Sequence, residues 1–438
     1  MIKDTDVVIV GTGAAGLFCA LHFTEDIRIL IITKDAIDKS DSFLAQGGMC
    51  MLRDEDDYNS YFEDTMKAGH YENNPQSVEI MIRSSQKIVS ELNSYGVEFE
   101  KNGRDYLFTR EGGHSRPRIL FHEDITGKEI TSTLLDNVLK RKNIEVLEYT
   151  SMLDIICDKD NSCCGIVMCN RDGDITLVRA GHTVLACGGL GGLYKHSTNF
   201  KHITGDALAI AYNHGIEVEH ISYIQTHPTT LYSEKPGRRF LISESVRGEG
   251  AILLNRNKER FCDELMPRDI VTAQIRKQME KDNMPYVWLS MENITEDEIR
   301  NHFPNILGQC LKEGYNPVSG YIPVVPAQHY FMGGIKVNSM GRTSMPHLYA
   351  AGETSCNGVH GRNRLASNSL LESMVFAERA AYAIQQEITS KGSQCKNLDD
   401  DYFTHLVNYE DYKDIDALIK GYKSRVLNEI KKEENRHE

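Results

Sequence analysis

Apolar positions along this chain alternate between two spacings, and the switches between them mark most of its elements. Asp6 to Val10 is an apolar run of strand length; after a glycine turn, helical spacing takes over at Leu17, Ala20, Leu21 and Phe23. A second strand is predicted over Arg28 to Ile32, helices over about 57–69, 76–95 and 127–141, and strands through 144–180. Thr183 to Gly192, TVLACGGLGG, reads as a buried strand running into glycines, and Asp206 stands at a helix start in TGDALAIAY. Between about 222 and 330 the glycine-rich turns thin out and polar clusters replace them. They return at Met332-Gly333-Gly334, ahead of a third glycine-ended strand, Leu348 to Gly352. A strong helix signal follows, with Ser369 and Glu372 spaced as a capping box in front of Leu370, Leu371, Met374 and Val375. From about 391 the chain is charged and only loosely periodic.

This order predicts an α/β fold: a Rossmann-like dinucleotide-binding domain (1–221 and 331–390) interrupted by an inserted α+β domain (222–330), with a short helical tail (391–438). The glycine turn is Gly11-Thr12-Gly13-Ala14-Ala15-Gly16, set between strand and helix. There the first glycine permits the turn, the second admits a pyrophosphate to the backbone, and the third lets helix pack on strand. An acidic residue for a ribose hydroxyl is expected after the second strand. Thr33 and Lys34 occupy that place, which argues against a plain NAD site.

Composition narrows the partners. Apolar residues make up 40% and charged residues 26% of the chain, as in a globular protein. The formal net charge of -14 argues against nucleic acid or an anionic membrane as the main partner. An anionic substrate therefore needs local cations. No apolar stretch approaches membrane-spanning length and MIKDTD does not resemble a signal peptide, so the cytoplasm is the expected compartment. Eleven scattered cysteines suggest reduced thiols, and with no CxxC or iron-sulfur spacing no metal site is expected.

Candidate chemistry lies in well-separated clusters. Ser40 to Gly48, SDSFLAQGG, is a small-residue loop suited to close backbone approach. Thr109 to Arg118, TREGGHSRPR, concentrates charge in one loop. Further clusters are Gln225-Thr-His227-Pro, Ser243-Glu244-Ser-Val-Arg247, Pro267-Arg268-Asp269 and Gln328-His329-Tyr330. Arg362 and Arg364 stand just before the Ser369 helix, where exposed N-H groups favour an anion or an electron-rich ring. Each cluster alone is as well explained by turns and solvated charge.

As an ordered set, however, GTGAAG, SDSFLAQGG, TREGGHSRPRIL, QTHPT, ESVRGEGAILLN, MPRDIV, PVVPAQHYFMGG and AAGE with VHGRNRLASNSLLE resemble the fumarate reductase and succinate dehydrogenase flavoprotein family. The resemblance covers roughly residues 4–385, and within the family it points to the members that oxidise L-aspartate. It implies that the inserted domain is a capping domain closing over a dicarboxylate, and it implies FAD, with Gly11 to Gly16, Thr33, Lys34, Asp41, Ser42, Ala45, Gln46, Gly47, Gly48, Gly188, Asp206, Glu353, Asn368, Ser369 and Leu370 as the cofactor-binding residues. Members that bind FAD covalently carry a histidine where Asp41 stands, so FAD is expected to be noncovalent here.

The same resemblance implies a substrate site at His227, Ser243, His329 and Arg364, with His114 in the Glu111 loop. Arg268 matches the family's proton-transferring arginine, with Asp269, Glu244 or a water chain as relay. Glu111 has its own rationale: the substrate ammonium group could pair with it for a few kcal/mol at about 4 Å in an effective dielectric near 20. Hydride transfer from Cα to flavin N5 would give iminoaspartate. Reoxidation by O2, giving H2O2, or by fumarate would close the cycle, and quinolinate synthase in NAD biosynthesis would be the recipient. The alternatives are a soluble fumarate reductase or succinate-oxidising flavoprotein, and a noncatalytic flavin-binding subunit. Many relatives carry a larger C-terminal helical domain than this tail, a departure that bears on assembly surfaces.

Overall fold

Val7 and Ile9 pack on one face of their strand while Val8 and Val10 pack on the other, and all four are buried. A strand covered on both sides belongs at the centre of a layered α/β fold. In the computed structural model, which describes residues 1–391 and 398–437, this strand is β1 (Ile2–Val10). It shares a sheet with β2 (Ile29–Ile32), β3 (Ile144–Leu147), β4 (Ser151–Cys157), β5 (Cys163–Cys169) and β6 (Ile175–Leu185), in the order β3-β2-β1-β6-β5-β4. β3, β2, β1 and β6 run parallel, and β4 and β5 form an antiparallel hairpin beside β6. Leu348–Ala350, reached only after the inserted segment, pairs in parallel with the far end of β6 and completes the sheet.

The helices that matter are α1 (Ala14–Leu21), α2 (Glu55–Ala68), α3 (Pro75–Tyr95), α4 (Thr126–Leu139), α5 (Asp206–Asn213), α6 (Arg268–Asp282), α7 (Asn368–Lys391) and α8 (Ile415–His437). α1, α3, α4 and α7 bury their apolar stripes on the Val7/Ile9 face. α5 and α8 cover the Val8/Val10 face. The turn into α1 is possible because Gly11 has φ +120 and a Cβ there would stand 2.1 Å from the Ala186 carbonyl oxygen. The glycine turn is thereby wedged between the ends of β1 and β6.

The expected helical tail is present: α8 runs 23 residues, and Tyr422, Val426 and Ile430, spaced by four, are buried against the second core. That stripe is too narrow to stand out among the surrounding charges. One expectation about the later chain is corrected, since the Ser369–Glu372 capping box does not form. α7 begins at Asn368, so Ser369 lies inside its first turn, and Glu372 accepts a hydrogen bond from Asn357 instead.

The inserted segment carries its own sheet, β7 (Ile224–Leu231), β8 (Ile252–Leu254), β9 (Val287–Ser290) and β10 (Tyr321–Phe331), antiparallel in the order β7-β10-β9-β8. A separate core including Ile242, Val246, Leu253, Val271, Ile275, Leu289 and Val324 supports it. The β7-β10 ladder is interrupted twice. Gln225 pairs with Tyr330 and Thr226 with Gln328, which leaves His329 as the extra residue; a second irregularity follows His227. Bulges of this kind re-aim side chains, and both histidines sit at one. No helix among the described residues is long and apolar enough to cross a membrane.

Candidate active site

One cavity gathers the sequence clusters. Gly11, Thr12, Gly13 and Ala15 line it at the glycine turn, Thr33 and Lys34 at the end of β2, and Asp41, Ser42, Ala45, Gln46, Gly47 and Gly48 along the small-residue loop. Gly188, Asp206, Glu353, Ser369 and Leu370 line it from the other side. Glu111, His227, Ser243, Glu244, Arg268, His329 and Arg364 line the end nearest the inserted segment.

A dinucleotide fits this donor set. Ala14 N-H donates to Ser42 Oγ, which locks the loop onto the glycine turn. Ser40 Oγ, Asp41 Oδ2 and Gln46 Oε1 are buried without a partner in the chain, as polar atoms facing a ligand would be. Lys34 and Asp206 form an ion pair, so the expected ammonium and carboxylate grips act together. Burial pushes Asp41 up to about 7; its Oδ1 accepts from Phe200 N-H at 2.9 Å. Burial likewise pushes Glu353 up to about 8, and it accepts from Phe331 N-H at 2.9 Å.

At the other end, charged groups are packed without water-facing surface. Arg268 donates through Nε to Glu244 Oε2 at 2.5 Å. Arg247, fully buried, has Nη2 3.5 Å from Glu244 Oε1, while its Nε lacks a hydrogen-bond partner. Arg364 donates to Ser369 Oγ at 2.9 Å and stacks 4.4 Å from the Tyr330 ring centroid, yet its Nε is also unpartnered. Burial, then repulsion from Arg268, lowers Arg364 to about 10, so it stays charged at neutral pH. Burial works against the Glu244 carboxylate, but Arg268 and Arg247 outweigh it and hold the group below its ordinary range.

His227 and His329 stand with ring centroids 5.1 Å apart. Burial and then Arg268 push both well below the ordinary histidine value, which leaves them neutral. The Thr229 backbone engages His227 Nδ1, and its Nε2 has no partner. Thr198 Oγ1 lies 2.7 Å from His329 Nδ1.

Glu111 enters the cavity over a glycine. A Cβ on Gly47 would stand 2.4 Å from Glu111 Oε1, so the glycine in SDSFLAQGG makes room for this carboxylate as well as for a planar ligand. Ser367, whose φ of 60 is unusual for a residue with a side chain, donates to Glu111 Oε2 at 2.6 Å. Burial and the Glu244 charge raise the Glu111 carboxyl above the ordinary range.

Several expected site residues do not reach the cavity. His114 is held by Arg118 at Nδ1 (3.0 Å) and by the Ala366 carbonyl at Nε2 (3.0 Å), and burial drives it down to about 4. It braces the Glu111 loop rather than facing substrate. Asn368 is occupied by Tyr61 and Thr65, and so ties α7 to α2. Ala14 and Gly16 act behind the lining, and Arg362 is 62% exposed at its side chain. Conversely, Thr198, Asn199, Arg238, Tyr330 and Ser367 line the cavity and were not singled out as ligand-facing. Tyr330 adjoins a chosen histidine and Ser367 adjoins Asn368, but nothing in the sequence marks the other three.

An elongated cradle opening from a glycine turn, closed by a buried group of arginines, carboxylates and neutral histidines, defines an FAD-binding oxidoreductase of the fumarate reductase type. Residues 6–370 match the FAD binding domain family. An E. coli quinol fumarate reductase chain superimposes with a TM-score of 0.85 at 28% identity, covering 97% of this chain and 74% of that one. L-aspartate oxidase of Clostridium perfringens is 48% identical over 91% of this chain and 92% of its own length. L-aspartate oxidase of Clostridium acetobutylicum is 46% identical, over 88% and 89%. The chain belongs to the L-aspartate oxidase family within these FAD-binding proteins.

Proposed function

We propose that the protein oxidises L-aspartate to iminoaspartate in NAD biosynthesis, and that O2, giving H2O2, or fumarate reoxidises it. The observation that carries this reading is the placement of Glu111 in a site otherwise built for carboxylates. Arg268 and Arg364 line the cavity with Glu111 and Glu244, and Arg247 is buried beside Glu244, 3.5 Å from its Oε1; with the histidines neutral, these five groups carry one net positive charge. L-Aspartate, with two carboxylates and one ammonium, carries one net negative charge and balances it. Succinate carries two and does not. A soluble fumarate reductase is the alternative reading, and it gives Glu111 no task.

FAD, held noncovalently because Asp41 offers no ring nitrogen for a bond, supplies the hydride acceptor at N5. The protein's residues bind, orient and manage protons. Arg364 and His227 have buried, unpartnered nitrogens that can donate to the substrate carboxylates. Ser243 and His329 complete that set. Glu111 takes the ammonium group and so fixes which face of Cα is presented. A guanidinium is a poor base, so Arg268 works as proton carrier in alkene reduction and as charge stabiliser in amine oxidation, with Glu244 as its relay at 2.5 Å. The scattered cysteines show no disulfide-framework spacing, which supports a reducing cytoplasmic setting, and we place the handover of iminoaspartate to quinolinate synthase there.

Steady-state kinetics of Glu111→Gln test the reading. The KM for L-aspartate should rise at least tenfold, while fumarate reduction is kept or improved. An unchanged aspartate KM would remove Glu111 from its role.

A further inference from the structure

Gln225 does not line the cavity, yet its side-chain amide touches two of the arginines that do, Arg268 and Arg364. Arg268 Nη1 donates to Gln225 Oε1 at 2.8 Å, and Gln225 Nε2 donates to the Arg364 backbone oxygen and to Asn363 Oδ1, each at 2.8 Å. A guanidinium can only donate, so the amide has one orientation, and both of its N-H groups are then used. The residue is 3% exposed and lies beside the first irregularity of the β7-β10 ladder.

We propose that Gln225 is a positioning residue that fixes Arg268 and Arg364 relative to one another. The two arginines come from different parts of the chain, Arg268 from the start of α6 and Arg364 from the loop before α7. Their charges repel, since Arg268 contributes to the lowered pKa of Arg364. A carboxylate at position 225 would cancel charge that a dianion needs, whereas an apolar side chain would let the arginines splay. A neutral amide with one acceptor and two donors holds the pair without either cost.

The surrounding contacts extend the bridge. Asn363 Nδ2 donates to the Ala68 carbonyl at 3.1 Å and to Asp269 Oδ1 at 3.4 Å, and Asp269 Oδ2 meets His70 Nε2 at 3.0 Å. Gln225 therefore stands in a network that joins β7 and α6 to the end of α2 and the 361–364 loop. Arg268 keeps Glu244 when Gln225 is lost, but Arg364 loses the Gln225 hydrogen bond to its backbone oxygen.

The inference rests on the reading that Arg268 and Arg364 face the substrate. Its test uses the FAD-loaded enzyme and the nonoxidised probe succinate, titrated by the change in flavin absorbance. Gln225→Met keeps the shape and removes the hydrogen bonds. It should retain FAD content and the thermal midpoint, weaken succinate binding at least tenfold and lower the kcat of fumarate reduction. Gln225→Glu keeps the acceptor for Arg268 and loses both donors. It should weaken succinate binding while keeping a fumarate-reduction kcat closer to wild type. Wild-type succinate affinity in Gln225→Met overturns the proposal, since packing alone would then suffice. If that variant does not retain FAD, wild-type affinity in Gln225→Glu overturns it. A wild-type enzyme that L-aspartate does not reduce would instead sink the functional reading, and the succinate comparison would still judge Gln225.

Discussion

Glu111 shows how a site residue is made from its neighbours. Its carboxylate fits because Gly47 has no side chain, it is aimed by Ser367 in a left-handed conformation, and its loop is braced by Arg118, which bonds Asp57, Asp64 and His114 from full burial. The raised Glu111 carboxyl has a pH consequence. As pH falls, Glu111 gains its proton above the ordinary carboxylate range and loses its attraction for ammonium. The aspartate KM should rise toward low pH, and Glu111→Gln should flatten that limb of the profile. At Arg268, replacement by Leu should abolish fumarate reduction with FAD still bound; substantial retained activity would contradict its proton role. Glu353 makes a stability prediction. Its folded pKa of about 8 lies above the ordinary 4.5, so the folded state holds more protons between those values and the group's contribution is lost as pH rises through them. The cofactor-free Glu353→Gln variant should gain thermal stability relative to wild type across that window. A gap that stays constant with pH would show that the group does not titrate as described.

At the scale of elements, the sequence made periodic features legible and left irregular ones hidden. β1, β2, α3 and the glycine turn follow from apolar spacing, and α3 starts where Asn74 caps it and Pro75 enters its first turn. The irregularity at His329 carries no sequence signal, because a bulge is set by how two distant strands pair, whereas the one after His227 is marked by Pro228, which has no N-H for the ladder. For the same reason the histidines could be chosen as residues but not as a pair 5.1 Å apart. The capping box failed for a local reason: the chain enters α7 from Ser367, whose side chain belongs to Glu111, and Ser369 serves Arg364. The helical tail was legible, but the burial of α8 against the core was not, because its apolar stripe is narrow; that burial is testable. Ile430→Ala should cost roughly 2–5 kcal/mol of stability, read from denaturant unfolding, without changing the aspartate KM.

Across the whole molecule, the site lies where the main sheet's glycine turns meet the inserted four-stranded sheet. One part supplies the cradle for the dinucleotide, and the other supplies Arg268, Glu244, His227 and His329. We propose that the inserted segment, about residues 222–330, is a capping domain with hinges near its two ends; identical orientations with and without a bound dicarboxylate would count against that motion. The acidic chain repels anions at long range, so a dicarboxylate needs local cations, which Arg268 and Arg364 offer in the cavity. We propose that the choice of aspartate over succinate comes from Glu111. Anaerobic mixing of the FAD-loaded protein with L-aspartate, and separately with succinate, tests that claim most directly. Aspartate should bleach the flavin absorbance and succinate should not; bleaching by succinate alone would contradict the account.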